Sequence, residues 1–347
     1  MQRLLRLLGI VAIMLQLVIG PHALGQATED NETSEAKFVA IVLGASGGLI
    51  EGNLSAYLLA PSGSTDFICL DAGTVLAGIR QAHLMGSFGA LPRSSESGLT
   101  PEGWVLHHYI KAYLLSHAHL DHVAGLILNS TDDVPKPILG LPTTLDFLRD
   151  HLFNWKIWPN FGHEGAGLQL KKYRYVRLAP EQEHPIAGTA MTVEPFRLSH
   201  SHGYQSTAFL IQSGGFYTLY FGDTGPDTVE NSARMQAVWS RAAPLIRSHK
   251  LRGLFLEVSF PDGRPDKLLF GHLTPAWMMQ ELHRLARLVR PTQPEQALRA
   301  LTVVVTHIKP SLKLGPTPRS LITQQLAQLN DLGVRLIIAQ QGQRIEF

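Results

Sequence analysis

The chain has 347 residues, 45% hydrophobic and 17% charged, enough to bury a large core in one or two domains. A formal charge of +2 excludes the broad basic field of a protein that tracks a nucleic acid backbone. One cysteine, Cys69, excludes an intramolecular disulfide and any metal site built mainly from thiolates.

Residues 1–25 have the layout of a secretory signal peptide. Arg3 and Arg6 make the start positive, Leu7 to Ile19 is apolar apart from Gln16, and Ala23-Leu24-Gly25 places small residues ahead of Gln26. The apolar run is shorter than the ~20 residues of a membrane span. Cleavage is therefore the expectation, with no stable membrane anchor afterwards and a secreted, periplasmic destination. The segment holds two arginines and no acid, so its removal brings the charge to zero. Residues 26–36 are polar and read as a flexible lead-in to a domain at 37–347.

Within that domain, Phe38–Leu43, Leu54–Leu59 and Phe67–Leu70 read as strands, with a glycine-rich turn at 44–52. Cys69 falls in the third strand as a small core residue. Residues 75–108 mix helix and loop. Tyr109–Leu115 is a strand, and a helix is expected over Asp121–Leu128. Residues 143–153 read as helical and 156–168 as an irregular insertion, either a lid carrying Trp155, Trp158 and Phe161 or plain packing. Strands are expected at 173–178, 191–198, 206–212, 216–221, 254–258, 301–305 and 335–339. Helices are expected at 229–247, 275–289 and 318–331. This order suits one α/β domain with two sheets inside and helices outside.

The chemistry concentrates in His117-Ala118-His119-Leu120-Asp121-His122. His117 and His119 are two apart, so extended chain points them the same way. Asp121 and His122 open a helix. One turn can thus offer two imidazoles to one divalent ion and a carboxylate with an imidazole to another. Later candidates follow strands: His200, Asp223 and His307. His202 competes with His200 as a ligand, and His200 is preferred because it directly ends its strand. Asp223 has two oxygens and can bridge two ions. Asp71 is expected to orient a ligand histidine rather than bind metal. His272, just before the helix opened by Pro275, is placed to protonate a leaving alkoxide or to bind phosphate. His83, His107, His108, His163 and His184 join no constellation.

These residues carry a resemblance. His117-x-His119-x-Asp121-His122 resembles the metal signature of the metallo-β-lactamase superfamily. The stretch from His117 to Ser130 is similar to the class II cyclic nucleotide phosphodiesterases, although Thr131 stands where alanine or proline is expected. Asp71–Thr74, Tyr220–Gly225, Leu256–Ser259, Gly271–Pro275 and Thr306–Pro310 extend the match over about residues 38–347. The resemblance implies an αβ/βα four-layer sandwich. It implies His117, His119 and His200 on one metal, Asp121, His122 and His307 on the other, and Asp223 between them. The ions would be zinc, with manganese or iron as alternatives. The implied activity is secreted hydrolysis of 3′,5′-cyclic nucleotides (cAMP, cGMP or both) to 5′-nucleotides by a hydroxide generated between the two metals, Asp121 contributing to catalysis and His272 acting as the acid. Alternatives are another phosphodiester, a lactone or lactam, or a non-catalytic nucleotide-binding module. The partner implied is a small cyclic nucleotide and not a nucleic acid; the sequence is compatible with a homodimer.

Overall fold

The strand Phe38–Gly44 (β1) shows how the layers arise. All seven of its residues are buried, and their side chains alternate between two cores. Phe38, Ala40 and Val42 face a second sheet, whereas Val39, Ile41 and Leu43 face helices. A strand covered on both faces reads as an unbroken apolar run rather than as alternation. The structure is a computed structural model that describes residues 37–201 and 203–347. The expected signal peptide, the lead-in and His202 lie outside the described residues.

The first sheet contains β1, β2 (Ala56–Pro61), β3 (Phe67–Leu70), β4 (Ile110–Leu114), β5 (Lys136–Gly140), β6 (Tyr173–Arg177) and, returning from the far end of the chain, a strand at Arg344–Glu346. The second contains β7 (His184–Pro185), β8 (Thr192–His200), β9 (Tyr204–Ser213), β10 (Phe216–Phe221), β11 (Leu251–Glu257), β12 (Thr302–Thr306) and β13 (Arg335–Ile338). With the returning strand labelled β14, the orders are β14-β1-β2-β3-β4-β5-β6 and β13-β12-β11-β10-β9-β8-β7. In these orders the first sheet runs through three antiparallel pairings and then three parallel ones, and the second through three parallel pairings and then three antiparallel ones.

The inner faces meet over Tyr57, Leu114, Phe209, Tyr220, Phe255 and Val304. Outside the first sheet, the helices Leu76–Leu84 and Leu120–Asn129 contribute Ile79, Val123 and Leu126 to a separate core. Outside the second, Arg234–Arg247, Pro275–Val289 and Pro318–Leu329 contribute Trp239, Leu282 and Ile322. This is the αβ/βα sandwich that the resemblance implies. Thr274 and Thr317 cap two of these helices ahead of Pro275 and Pro318, whose fixed φ suits a first turn. Among the described residues, no helix is long and apolar enough to cross a membrane.

The structure departs from the sequence reading in identifiable places. β5, β7 and β14 were not expected. β5 carries a buried lysine, Lys136, whose ammonium is met by Asp133 at 2.7 Å and the Leu106 carbonyl at 2.6 Å. Its Pro137 precedes the part of the strand that pairs with β4, so the missing N–H costs that ladder nothing. The helix expected from residue 229 begins at Arg234, because Asp227 turns back to accept from the Met235 and Gln236 amides. The 156–168 insertion is packing rather than a lid. Phe161 is buried against Phe153, and Trp158 donates to Ser130 Oγ at 3.0 Å on the helix side of the first sheet.

Candidate active site

Strand ends from both sheets deliver the candidate residues to one place. His117 follows β4 through Leu115-Ser116. His119 is the extended residue before the helix Leu120–Asn129, which puts Asp121 and His122 in its first turn. From the second sheet, His200 ends β8, Asp223 lies two residues beyond β10, and His307 follows β12 with φ of 56°. His272 sits between β11 and the helix at Pro275. Gly47 allows close approach here: a Cβ at that position would lie 2.3 Å from the His307 ring.

Two donor sets share Asp223, each with its candidate donor atoms within 4.8 Å of one another: His117, His119, His200 and Asp223, and Asp121, His122, Asp223 and His307. Asp223 divides its oxygens between them. Oδ2 lies 3.8 Å from Nε2 of both His117 and His200, whereas Oδ1 lies 3.3 Å from His122 Nε2 and 3.2 Å from His307 Nε2.

Hydrogen bonds around the rim fix the imidazole tautomers. His122 Nδ1 donates to Asp71 Oδ2 at 2.7 Å, and His200 Nδ1 donates to the Gly271 carbonyl at 2.8 Å. Ser116 Oγ gives its hydrogen to Asp71 Oδ2, so it accepts from His117 Nδ1 at 2.9 Å. Ser259 Oγ gives its hydrogen to Glu257 Oε2, so it accepts from His307 Nδ1 at 2.9 Å. In the neutral form each of these four rings then carries its lone pair on an inward-pointing Nε2. His122 Nε2 faces His307 Nε2 at 3.1 Å, and His117 Nε2 faces His119 Nδ1 at 3.1 Å. The donors therefore fit divalent ions that accept nitrogen and oxygen ligands.

For His117, His119 and His200 the electrostatics agree with this fit. Burial holds His117 and His200 below the usual histidine range. Burial, aided by charge on neighbouring histidines, lowers His119 to about 4. Burial also lowers His272 to about 4. Neutral imidazoles are the form that ligates metal. Burial alone would raise Asp223 and Asp121, but His307 and His122 outweigh it at Asp223, as His122 and His307 do at Asp121. Both carboxyls sit well below the usual range. His122 runs the other way: Asp223, Asp71 and Asp121 overcome its burial and hold it above the usual range.

A second cluster adjoins these sets. His272 Nδ1 is 2.8 Å from Glu257 Oε1, and Ser259 Oγ donates to the other Glu257 oxygen at 2.8 Å. Burial, with the Asp223 charge adding to it, raises Glu257 to about 7. Above the cluster lies a cavity of about 400 Å³ lined by His119, Asp121, Tyr204, Phe270, His272 and Lys309, among others.

A profile of the class-II cAMP phosphodiesterases matches residues 33–342. The 3′,5′-cyclic-nucleotide phosphodiesterase of Aliivibrio fischeri is 45% identical over 311 residues, 89% of this chain and 93% of that protein. The chain belongs to the class-II cAMP phosphodiesterases. The crystal structure of unliganded yeast PDE1 superposes with a TM-score of 0.77 at 24% identity, covering 90% of this chain and all of that one. A metallo-β-lactamase fold protein from Bacillus subtilis superposes with a TM-score of 0.56 at 17% identity, over 90% of this chain and all of that one. The fold is that of the metallo-β-lactamases.

In this class-II phosphodiesterase, every described residue singled out in the sequence comes to one site: His117, His119, Asp121, His122, His200, Asp223, His272 and His307. Asp71 lies behind His122, as expected of an orienting group. Cys69 is buried and donates to the Asp71 carbonyl, apart from both donor sets. The sequence reading assigned no role to Glu257, Ser259, Ser116, Tyr204 or Lys309. Glu257 left one trace, an acid closing the apolar run Leu254–Leu256 of β11. Tyr204, stacked on His119 with ring centroids 4.5 Å apart, left none, because its partner is 85 residues away in sequence.

Proposed function

We propose that this chain hydrolyses 3′,5′-cyclic nucleotides to 5′-nucleotides using two divalent metal ions. The observation that carries the reading is the division of Asp223, with one oxygen toward each inward-facing nitrogen set. His117, His119, His200 and Asp223 would hold one ion, and Asp121, His122, His307 and Asp223 the other. When bound, such a pair supplies an activated water and neutralises phosphate charge. The nitrogen-rich donor set favours zinc or iron over magnesium or calcium, with manganese an alternative.

The chain's own residues do the rest. Lys309 lines the cavity with a cationic side chain that attracts the singly charged cyclic phosphate. His272 has its Nδ1 engaged by Glu257, which leaves Nε2 to meet the departing 3′ oxygen. Below about pH 7 the Glu257–His272 pair holds a proton that the leaving alkoxide can take. Tyr204 covers one face of His119 and narrows the approach. We further propose that residues 1–25 direct export, so that the enzyme meets extracytoplasmic nucleotides.

The test is purified protein of measured metal content, assayed on cyclic AMP and cyclic GMP with and without a chelator. Chelator-sensitive release of 5′-nucleotide is expected, together with loss of metal and activity in Asp121→Ala. Turnover unaffected by chelator, or full activity in the variant, would refute the metal assignment. Stoichiometric nucleotide binding without hydrolysis would instead identify a binding module.

A further inference from the structure

We propose that Phe270 is the platform on which the nucleobase stacks, and that the base extends from the phosphate cavity across Phe270 into a neighbouring cavity. The inference rests on the phosphodiesterase reading and adds where the substrate's base lies.

Phe270 is out of place for an ordinary aromatic. It is 52% exposed, although large apolar side chains gain most from burial. Its φ is 53°, a strained conformation for a bulky residue and one that concentrates at functional sites. The cause lies in the next residue. Gly271 packs so tightly on β8 that a Cβ there would meet the Ser201 nitrogen at 2.1 Å, and its carbonyl holds the His200 ring. The chain must therefore turn sharply at Phe270–Gly271, and the turn delivers the ring to the rim of the site.

That rim is shared. Phe270 and Ser201 line the cavity that contains the candidate metal ligands, and they also line a second cavity of about 280 Å³. Among the described residues that line it, the second cavity has no candidate metal ligand. Val229 offers it apolar surface, while Glu230, Asp266 and Lys267 offer acceptors and a donor for the edge of a base. A cyclic nucleotide has the same division, an anionic ring phosphate at one end and a flat aromatic base at the other. Stacking on an aromatic tolerates any base, so Phe270 would set affinity for nucleotides as a class rather than choose between adenine and guanine.

The test compares substrates with and without a base. Glycine is the replacement of choice, because it accepts φ of 53° and retains the fold. Phe270→Gly should raise KM for cyclic AMP and cyclic GMP by roughly 5- to 150-fold, the range that loss of one base stack spans. It should leave kcat near the native value and KM for ribose 3′,5′-cyclic phosphate, which has no base, unchanged. Phe270→Tyr should keep the native KM. As a readout free of catalysis, the added tryptophan emission of Phe270→Trp should be quenched by nucleoside 5′-monophosphate and not by ribose 5-phosphate. An equal KM change for both substrate types, no change for either, or no base-dependent quenching would overturn the inference. If the native protein turns over no cyclic nucleotide, the functional reading fails, and the quenching experiment still decides the role of Phe270.

Discussion

Asp71 is the perturbation whose consequences the structure defines most closely. Its carboxylate is fully buried and accepts four hydrogen bonds: Ser116 N at 2.7 Å on Oδ1, and Ser116 Oγ at 2.7 Å, His122 Nδ1 at 2.7 Å and Tyr220 OH at 2.6 Å on Oδ2. Asp71→Ala strands all four donors. Removing one member of a buried charged network costs ~3–5 kcal/mol, and that is the loss expected in urea unfolding of the metal-free protein. Asp71→Asn is more selective. An amide nitrogen in place of Oδ2 faces the same three donors. Ser116 and Tyr220 can rotate their hydroxyls to accept, but His122 cannot accept at Nδ1 without moving its proton to Nε2, the nitrogen that points at Asp223 and His307. The variant should remain folded and lose roughly 10- to 100-fold in metal affinity, the usual consequence of removing a ligand's hydrogen-bond partner. Competitive metal titration measures it. Native metal affinity in Asp71→Asn, or stability within about 1 kcal/mol of native in Asp71→Ala, would refute the argument.

Glu257→Gln should change the alkaline side of the pH–rate profile. Glu257 is raised to about 7, so the Glu257–His272 pair loses its proton as pH rises through that value, and native kcat/KM should fall there. The glutamine variant should be slower and lack this limb; an unchanged limb would exclude the pair as proton donor. Gly47→Ala should displace the His307 ring, because its Cβ would come within 2.3 Å. At least a tenfold loss of bound metal, measured by elemental analysis after dialysis, should accompany a small change in unfolding temperature. Lys309→Ala should raise KM about fivefold at low salt, the effect of losing ~1 kcal/mol of screened attraction, and the difference should shrink as ionic strength rises.

Legibility in the sequence followed the range of the interaction. The turn from His117 to His122 could be read because all its ligand-type residues fall in one local stretch, with periodicity on both sides. His200, Asp223 and His307 were accessible one step further away, since each closes a strand with its own apolar signature. Glu257 and Tyr204 were not assigned, because their meaning comes from partners in other elements. β5 was hidden by Lys136 and Pro137, which signal loop in isolation and are tolerated only because Asp133 and a late-starting ladder compensate for them. β14 has three residues, with only Ile345 buried, too short for any period.

That short strand has a consequence for how the protein is made. Glu346, Ile345 and Arg344 pair with Val39, Ala40 and Ile41, and Phe347 stacks on Phe38 and meets Phe255 of the other sheet. During vectorial synthesis, β1 emerges among the first elements and then waits for more than 300 residues before its second neighbour exists. Until then an entirely apolar strand presents a bare hydrogen-bonding edge, the feature that most readily recruits another chain. The hazard in expressing this protein therefore belongs to the unfinished polypeptide, and shielding the nascent chain should raise soluble yield more than any substitution that stabilises the completed fold.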